Sequence, residues 1–172
     1  MQQVGNIFTR LMGMDDQAWR RHANPISVWT RAITGLPVIL GAVWSIKWLL
    51  WWSLPVLVIA CLWLWINPRL FSIPNNTDNW ASRATFGERV WLNRIVIGIP
   101  EHHRSWALFL SVIAGLGFLL AIVSAYLNLL LPTIYAGMVC WLGKLWFCDR
   151  MVWLYQDMSA SNEEYASWLL SE

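Results

Sequence analysis

The chain has 172 residues, of which 58% are hydrophobic and only 13% charged, with a net charge of +2. A soluble domain carries about 25% charged residues, so the composition points to a membrane, and so small a net charge argues against a nucleic-acid partner. The length leaves room for four spans of about 20 residues and little else.

Three cysteines make no disulfide framework and their spacing fits no zinc site. Cys61 and Cys140 fall in apolar stretches, as small hydrophobes, and Cys148 falls at an expected helix end. The first residues hold no apolar core, so no cleavable signal peptide is expected.

In chain order, Asn6–Met14 reads as a short amphipathic surface helix. Asp15 or Asp16 can cap a turn running to His22. Asn24-Pro25 then reads as a cap followed by proline at the first helical position. The first span is expected over Ser27–Ile46, where Gly35, Pro37 and Gly41 permit close packing or a kink. Lys47–Trp52 is the tight outer turn. The second span runs to Ile66, and Asn67-Pro68-Arg69 brings the chain back to the basic side. Ser72–Asp78 is a loop. Its Asn75-Asn76-Thr77 sequon is discounted because the loop is expected to be cytoplasmic.

Asp78 is expected to cap a helix with an apolar stripe of Trp80, Ala84, Trp91 and Ile95 opposite Arg83, Arg89 and Arg94. A basic amphipathic helix of that kind lies in the membrane interface, and Pro100 ends it. The third span is expected over Trp106–Ala125 and the fourth over Leu131–Phe147, with Asn128 and Pro132 marking a very short outer turn. The fourth helix runs on into water as Asp149–Met158. Ser161 with Glu164 makes a capping box for a last short helix.

The apolar stretches Trp29–Ile66 and Trp106–Phe147 carry Lys47 and Lys144 inside them and Arg31 at one edge. The other basic residues fall in the three segments outside. Short loops rich in Lys and Arg stay cytoplasmic. The expected fold is therefore all-α: an integral membrane four-helix bundle of two hairpins with interfacial amphipathic helices, in a prokaryotic inner membrane, with both termini cytoplasmic. As one membrane domain it divides into an N-terminal segment 1–26, a hairpin 27–66, an amphipathic linker 67–105, a second hairpin 106–147 and a tail 148–172. The halves also align in parallel, His22 on His102 and Gly35-Leu36 on Gly115-Leu116; duplication and chance similarity between apolar helices both account for this. The 15 tryptophans form either an interfacial belt or the lining of a pocket for a lipid, pigment or flat ligand.

Polar residues within a turn of a span are costly unless paired or snorkelled, so they invite a functional reading. One reading is a metal site: His22 and His102 with oxygen ligands from Glu88, Asp149 or Asp157, a mixed set suited to zinc or iron. A bis-histidine haem on His22 and His102 is a variant of it. The alternative is that His22 bonds to a helix end and His102 and His103 are surface residues. The other reading is an anionic headgroup site drawn from the arginines. Arg31, Arg69 and Arg150 flank spans, and Arg94, Asn24 and Asn67 accompany them. Asp149 is expected to pair with Arg31 or Arg69. No phosphate loop, nucleophile elbow or mid-span acid is present in the sequence, and no cofactor is specified.

Four motifs carry a resemblance: Trp19-Arg20-Arg21-His22-Ala23-Asn24-Pro25 with Ser27-x-Trp29-Thr30-Arg31, Asn67-Pro68-Arg69-Leu70-Phe71, Gly87-Glu88-Arg89-x-Trp91, and Asp149-Arg150-Met151-Val152-Trp153. Over about residues 15–160 the chain resembles an uncharacterised family of small, tryptophan-rich prokaryotic membrane proteins, a domain of unknown function. The resemblance implies an integral membrane protein and supplies no activity. The proline-tryptophan motifs of the tryptophan-rich sensory proteins are not found. The expected function is an accessory subunit or a binder of lipid or another hydrophobic ligand at the cytoplasmic face. The alternative is a membrane enzyme with a metal or acid–base site there. The expected partners are membrane lipid and either another membrane subunit or a second copy, with no nucleic acid.

Overall fold

The computed structural model describes residues 15–170, and all regular structure among them is helical. The expected Asn6–Met14 helix lies outside the described residues. Helix α1, Asp16–His22, is capped by Asp15, whose carboxylate accepts from the Ala18 amide at 2.7 Å. Arg20, Arg21 and His22 close it, where cations suit the helix dipole. Asn24 Oδ1 accepts from the Ile26 amide at 2.9 Å, and α2, Pro25–Trp44, begins at the proline.

The outer turn differs from the expected tight turn. It consists of α3, Ile46–Leu49, and a single 3-10 turn, Leu50–Trp52. The segment has no glycine or asparagine to reverse the chain, so Leu50 takes φ 49°. The Ser45 and Ser53 hydroxyls donate to the carbonyls of Ala42 and Leu50 on either side.

Helix α4, Ser53–Leu70, runs straight through Asn67-Pro68-Arg69, where a helix end was expected. Asn67 is fully buried and donates to Thr30 Oγ1 at 3.1 Å, which anchors that turn ahead of the proline. Helix α5, Trp80–Leu92, is capped by Asn79 rather than Asp78. Asn79 accepts from the Ser82 amide at 3.0 Å, while Asp78 is engaged by Arg83.

Helix α6, Glu101–Tyr126, starts ahead of the expected Trp106, and α7, Leu130–Ser161, carries on through Met158 as expected. Asn128 between them sits at φ 58°, a conformation asparagine tolerates, and its amide donates to the Trp44 carbonyl at 3.1 Å. Helix α8, Glu163–Ala166, is capped by Asn162 instead of Ser161, whose hydroxyl donates to the Met158 carbonyl. Three helical stretches, Pro25–Leu70, Glu101–Tyr126 and Leu130–Ser161, are long and apolar enough to cross a membrane.

The chain divides into two compact units. The first comprises Trp29–Asn67 and Leu108–Phe147. It holds no acid, and its charges are Arg31, Lys47 and Lys144 alone. Large side chains such as Trp48, Trp51, Leu119 and Leu142 are exposed, while Ala42, Ala60, Ala121 and Ala125 are buried. An exterior of that kind is the one that suits lipid rather than water. Its polar groups find partners inside: Trp63 Nε1 donates to Thr34 Oγ1 and Trp141 Nε1 to the Ala32 carbonyl.

The second unit comprises residues 15–28, 68–107 and 148–170. Its core holds Phe86 and Val90 of α5, Met151, Leu154 and Tyr155 of α7 and Tyr165 of α8, with Tyr155 meeting both Phe86 and Tyr165. Of the stripe expected on this helix, Ala84 and Trp91 are buried within the protein, while Ile95 lies beyond the helix end, exposed. Thr77 ties the tail down, its amide donating to the Leu170 carbonyl and its hydroxyl accepting from the Leu170 amide.

Tyr155 is 2% exposed and donates its phenol hydrogen to the Tyr165 carbonyl. Burial, partly offset by the charge of Arg83, pushes its hydroxyl up to about 12. A neutral tyrosine held above its unfolded value stabilises the fold fully below about pH 10, and that contribution is lost as pH rises toward 12. Thermal melts of detergent-solubilised protein between pH 9 and 12 should show a fall of about 2–3 kcal/mol. The fall should be smaller in Tyr155→Phe; an identical pH profile in the two proteins would contradict this assignment.

Candidate functional site

Helix α6 positions the central residue. Its buried positions are His103, Ala107, Leu110, Gly117, Ala121 and Ala125, the three-and-four spacing of one helix face. His103 is the first member of that face. Its backbone amide bonds the Pro100 carbonyl, so the helix begins with its imidazole already turned inward.

The partner comes from α7. Nε2 of His103 lies 2.7 Å from Oδ2 of Asp157. The histidine side chain is 4% exposed and the aspartate 58%. His102 stands beside them, its ring centroid 4.2 Å from that of His103. One ligand atom from each of His102, His103 and Asp157 falls within 4.8 Å of the others. Among the described residues this is the group of three side chains that could share a metal ion.

Two of the five expected metal ligands, His102 and Asp157, thus meet, and His103 takes the place assigned to His22. His22 packs edge-on against Trp19, with ring centroids 5.5 Å apart. Glu88 lies 4.0 Å from the Cys148 sulfur. The carboxylate of Asp149 accepts from Trp80 Nε1 at 3.2 Å. The inward face of α6 is the signal that would have chosen His103 over its neighbour.

The expected headgroup residues separate into roles. Asn24 is spent on structure, its amide donating to the Ser72 carbonyl and its oxygen capping α2. Asn67 is buried against Thr30. Arg94 folds back on its own helix end, donating to the Trp91 carbonyl at 2.7 Å with its guanidinium 4.1 Å from the Trp91 ring centroid. Arg31 and Arg69 sit near the start of α2 and the end of α4.

Arg150 stands apart. Its guanidinium lies 4.4 Å from the Trp153 ring centroid and 5.8 Å from that of Trp106. Its Nε is buried and meets no hydrogen-bond acceptor. A buried donor on a permanently charged group is costly to leave unmatched. A pocket beside Arg89, Asp16 and Trp168 is small, about 110 Å³, well below the 300 Å³ or more of a drug-sized ligand site.

An all-helical protein with membrane-length apolar helices and a separate polar unit is the class that these features define. The chain belongs to DUF6653, a family of unknown function, whose family model matches residues 3–169. No curated protein and no solved structure matches it.

Proposed function

We propose that the protein is a four-span, non-enzymatic membrane protein of a prokaryotic inner membrane that binds an anionic lipid headgroup at its cytoplasmic face through Arg150. Pro25–Leu70 crosses twice, as α2 and α4, turning at Leu50; α6 and α7 cross once each. Both termini, the Ser72–Asp78 loop and the polar unit lie on the cytoplasmic side, where most of the arginines lie. Another membrane subunit or a second copy is the remaining partner of this reading.

The observation that carries it is the partly buried Arg150 guanidinium, held beside the rings of Trp153 and Trp106. Arg150 follows the last apolar stretch of α7 by a turn, where a phosphate would sit. Trp106 and Trp153 are both half-exposed, as rings at headgroup level are. A guanidinium presents a planar fork of donors that a phosphate diester can satisfy.

Two measurements test this. Reporter fusions after Glu172 and within Ser72–Asp78 should read cytoplasmic and one at Lys47 external; an external signal from the loop would sink the four-span topology. In nanodiscs containing phosphatidylglycerol, native mass spectrometry should find anionic lipid retained by the wild type. Arg150→Gln should lose it at least about fivefold, a change of roughly 1 kcal/mol. Equal retention by the variant would end the headgroup reading.

A further inference from the structure

We infer that His102, His103 and Asp157 form a binding site for one divalent transition-metal ion, zinc being the ion to try first. This inference is independent of the lipid reading, since Arg150 contributes no ligand.

The donor set is two imidazoles and a carboxylate. Imidazole nitrogen and carboxylate oxygen bind zinc at about 2.0–2.2 Å, and three protein ligands with an open fourth position are a common zinc arrangement. Hard cations such as magnesium and calcium prefer oxygen, which this group supplies from one residue only.

The geometry needs small adjustments, at the residues able to make them. Tetrahedral ligands around zinc stand roughly 3.3 Å apart, from the bond lengths above. The 2.7 Å approach of His103 to Asp157 must therefore open slightly, and His102 must close from within 4.8 Å. Asp157 and His102 are exposed and can rotate; His103 is buried and stays fixed. The ion then takes the place of the proton shared between Nε2 and Oδ2.

The location has one opposing factor. The two histidines lie in the first turn of α6, whose dipole disfavours a cation. The carboxylates of Glu101, in the same turn, and Asp157 counter it. Were the cluster only a structural hydrogen bond, His103 and Asp157 would suffice. His102, exposed and stacked on its neighbour, would then contribute nothing to ion binding.

The test uses full-length protein in detergent, freed of any polyhistidine tag and stripped with chelator. Titrated with zinc against a chromophoric competitor, the wild type should take up one ion per chain with micromolar or tighter affinity. His102→Ala and Asp157→Asn should each bind at least about tenfold more weakly while keeping the wild-type circular dichroism, since both residues are exposed. Cobalt should give the visible bands of a site with nitrogen and oxygen ligands, reduced in both variants. Absence of stoichiometric zinc in the wild type would overturn the site, as would unchanged affinity in both variants.

Discussion

Gly87→Ala should unfold the polar unit or cost it about 3 kcal/mol or more, the upper end for overpacking a core. A Cβ at this position would stand 1.9 Å from the Met151 carbonyl oxygen, 2.4 Å from its carbon and 2.8 Å from its Cβ. Two of those atoms are backbone of α7, so no rotamer change relieves the clash; the helices must part. Parting them opens the core in which Phe86 meets Tyr155 and Trp168, at centroid distances of 5.4 and 6.0 Å. Gly98→Ala is the control, because a Cβ there meets nothing within 4 Å, and surface changes of that kind stay within about 0.5 kcal/mol. The comparison is made by thermal melts and limited proteolysis in detergent. A Gly87→Ala protein that melts with the wild type would show that α5 and α7 do not pack this closely.

What could be read in advance was what lies within one helix. Asp15, Asn24-Pro25 and Asn128 act through short-range geometry, and the structure uses all three as their types suggest. The run of α7 past Phe147 follows from the absence of any breaker before Ser161. Caps with two candidates in adjacent positions went to the wrong neighbour: Asn79 took the role expected of Asp78, which Arg83 engages, and Asn162 that expected of Ser161. The packing of the middle segment was not legible for a different reason. The residues that its helix meets come from far along the chain: Asp149 bonds Trp80, Met151 abuts Gly87 and Tyr155 packs on Phe86.

The site shows the same boundary. Residue type and position put His102 and Asp157 among five candidates, with His22, Glu88 and Asp149, and did not separate them. The meeting of His102 and Asp157 with His103 depends on two helices crossing at a register that no local pattern reports. The buried face of α6 does predict that His103 points inward, once its small residues are counted as well as its large ones. Arg150 was among the expected headgroup residues, but its unmatched nitrogen is a property of packing against Trp106 and Trp153 and has no counterpart in the sequence.

Gly117→Val should separate α6 from α7 within the apolar unit. A Cβ at Gly117 would lie 2.6 Å from the Cys140 amide nitrogen and 3.0 Å from its Cα, again backbone atoms. Across the same seam a Cβ on Gly143 would meet Ala114 at 3.3 Å. The seam is built of small residues because helices in lipid gain no hydrophobic stabilisation from association and depend on close packing of their backbones. Valine adds three carbons where not even one fits, so the expected loss is about 3 kcal/mol, and Gly117→Ala should fall between it and the wild type. Gly115 lies on the open face of the same helix, where a Cβ meets nothing within 4 Å. Gly115→Ala should therefore be neutral or slightly stabilising, alanine being the better helix former by about 1 kcal/mol in water. Unfolding titrations in mixed micelles would order the variants with Gly115→Ala at or above the wild type, then Gly117→Ala, then Gly117→Val. A flat series would mean that these helices are not in contact along Gly117, and the close crossing of α6 and α7 in the apolar unit would have to be abandoned.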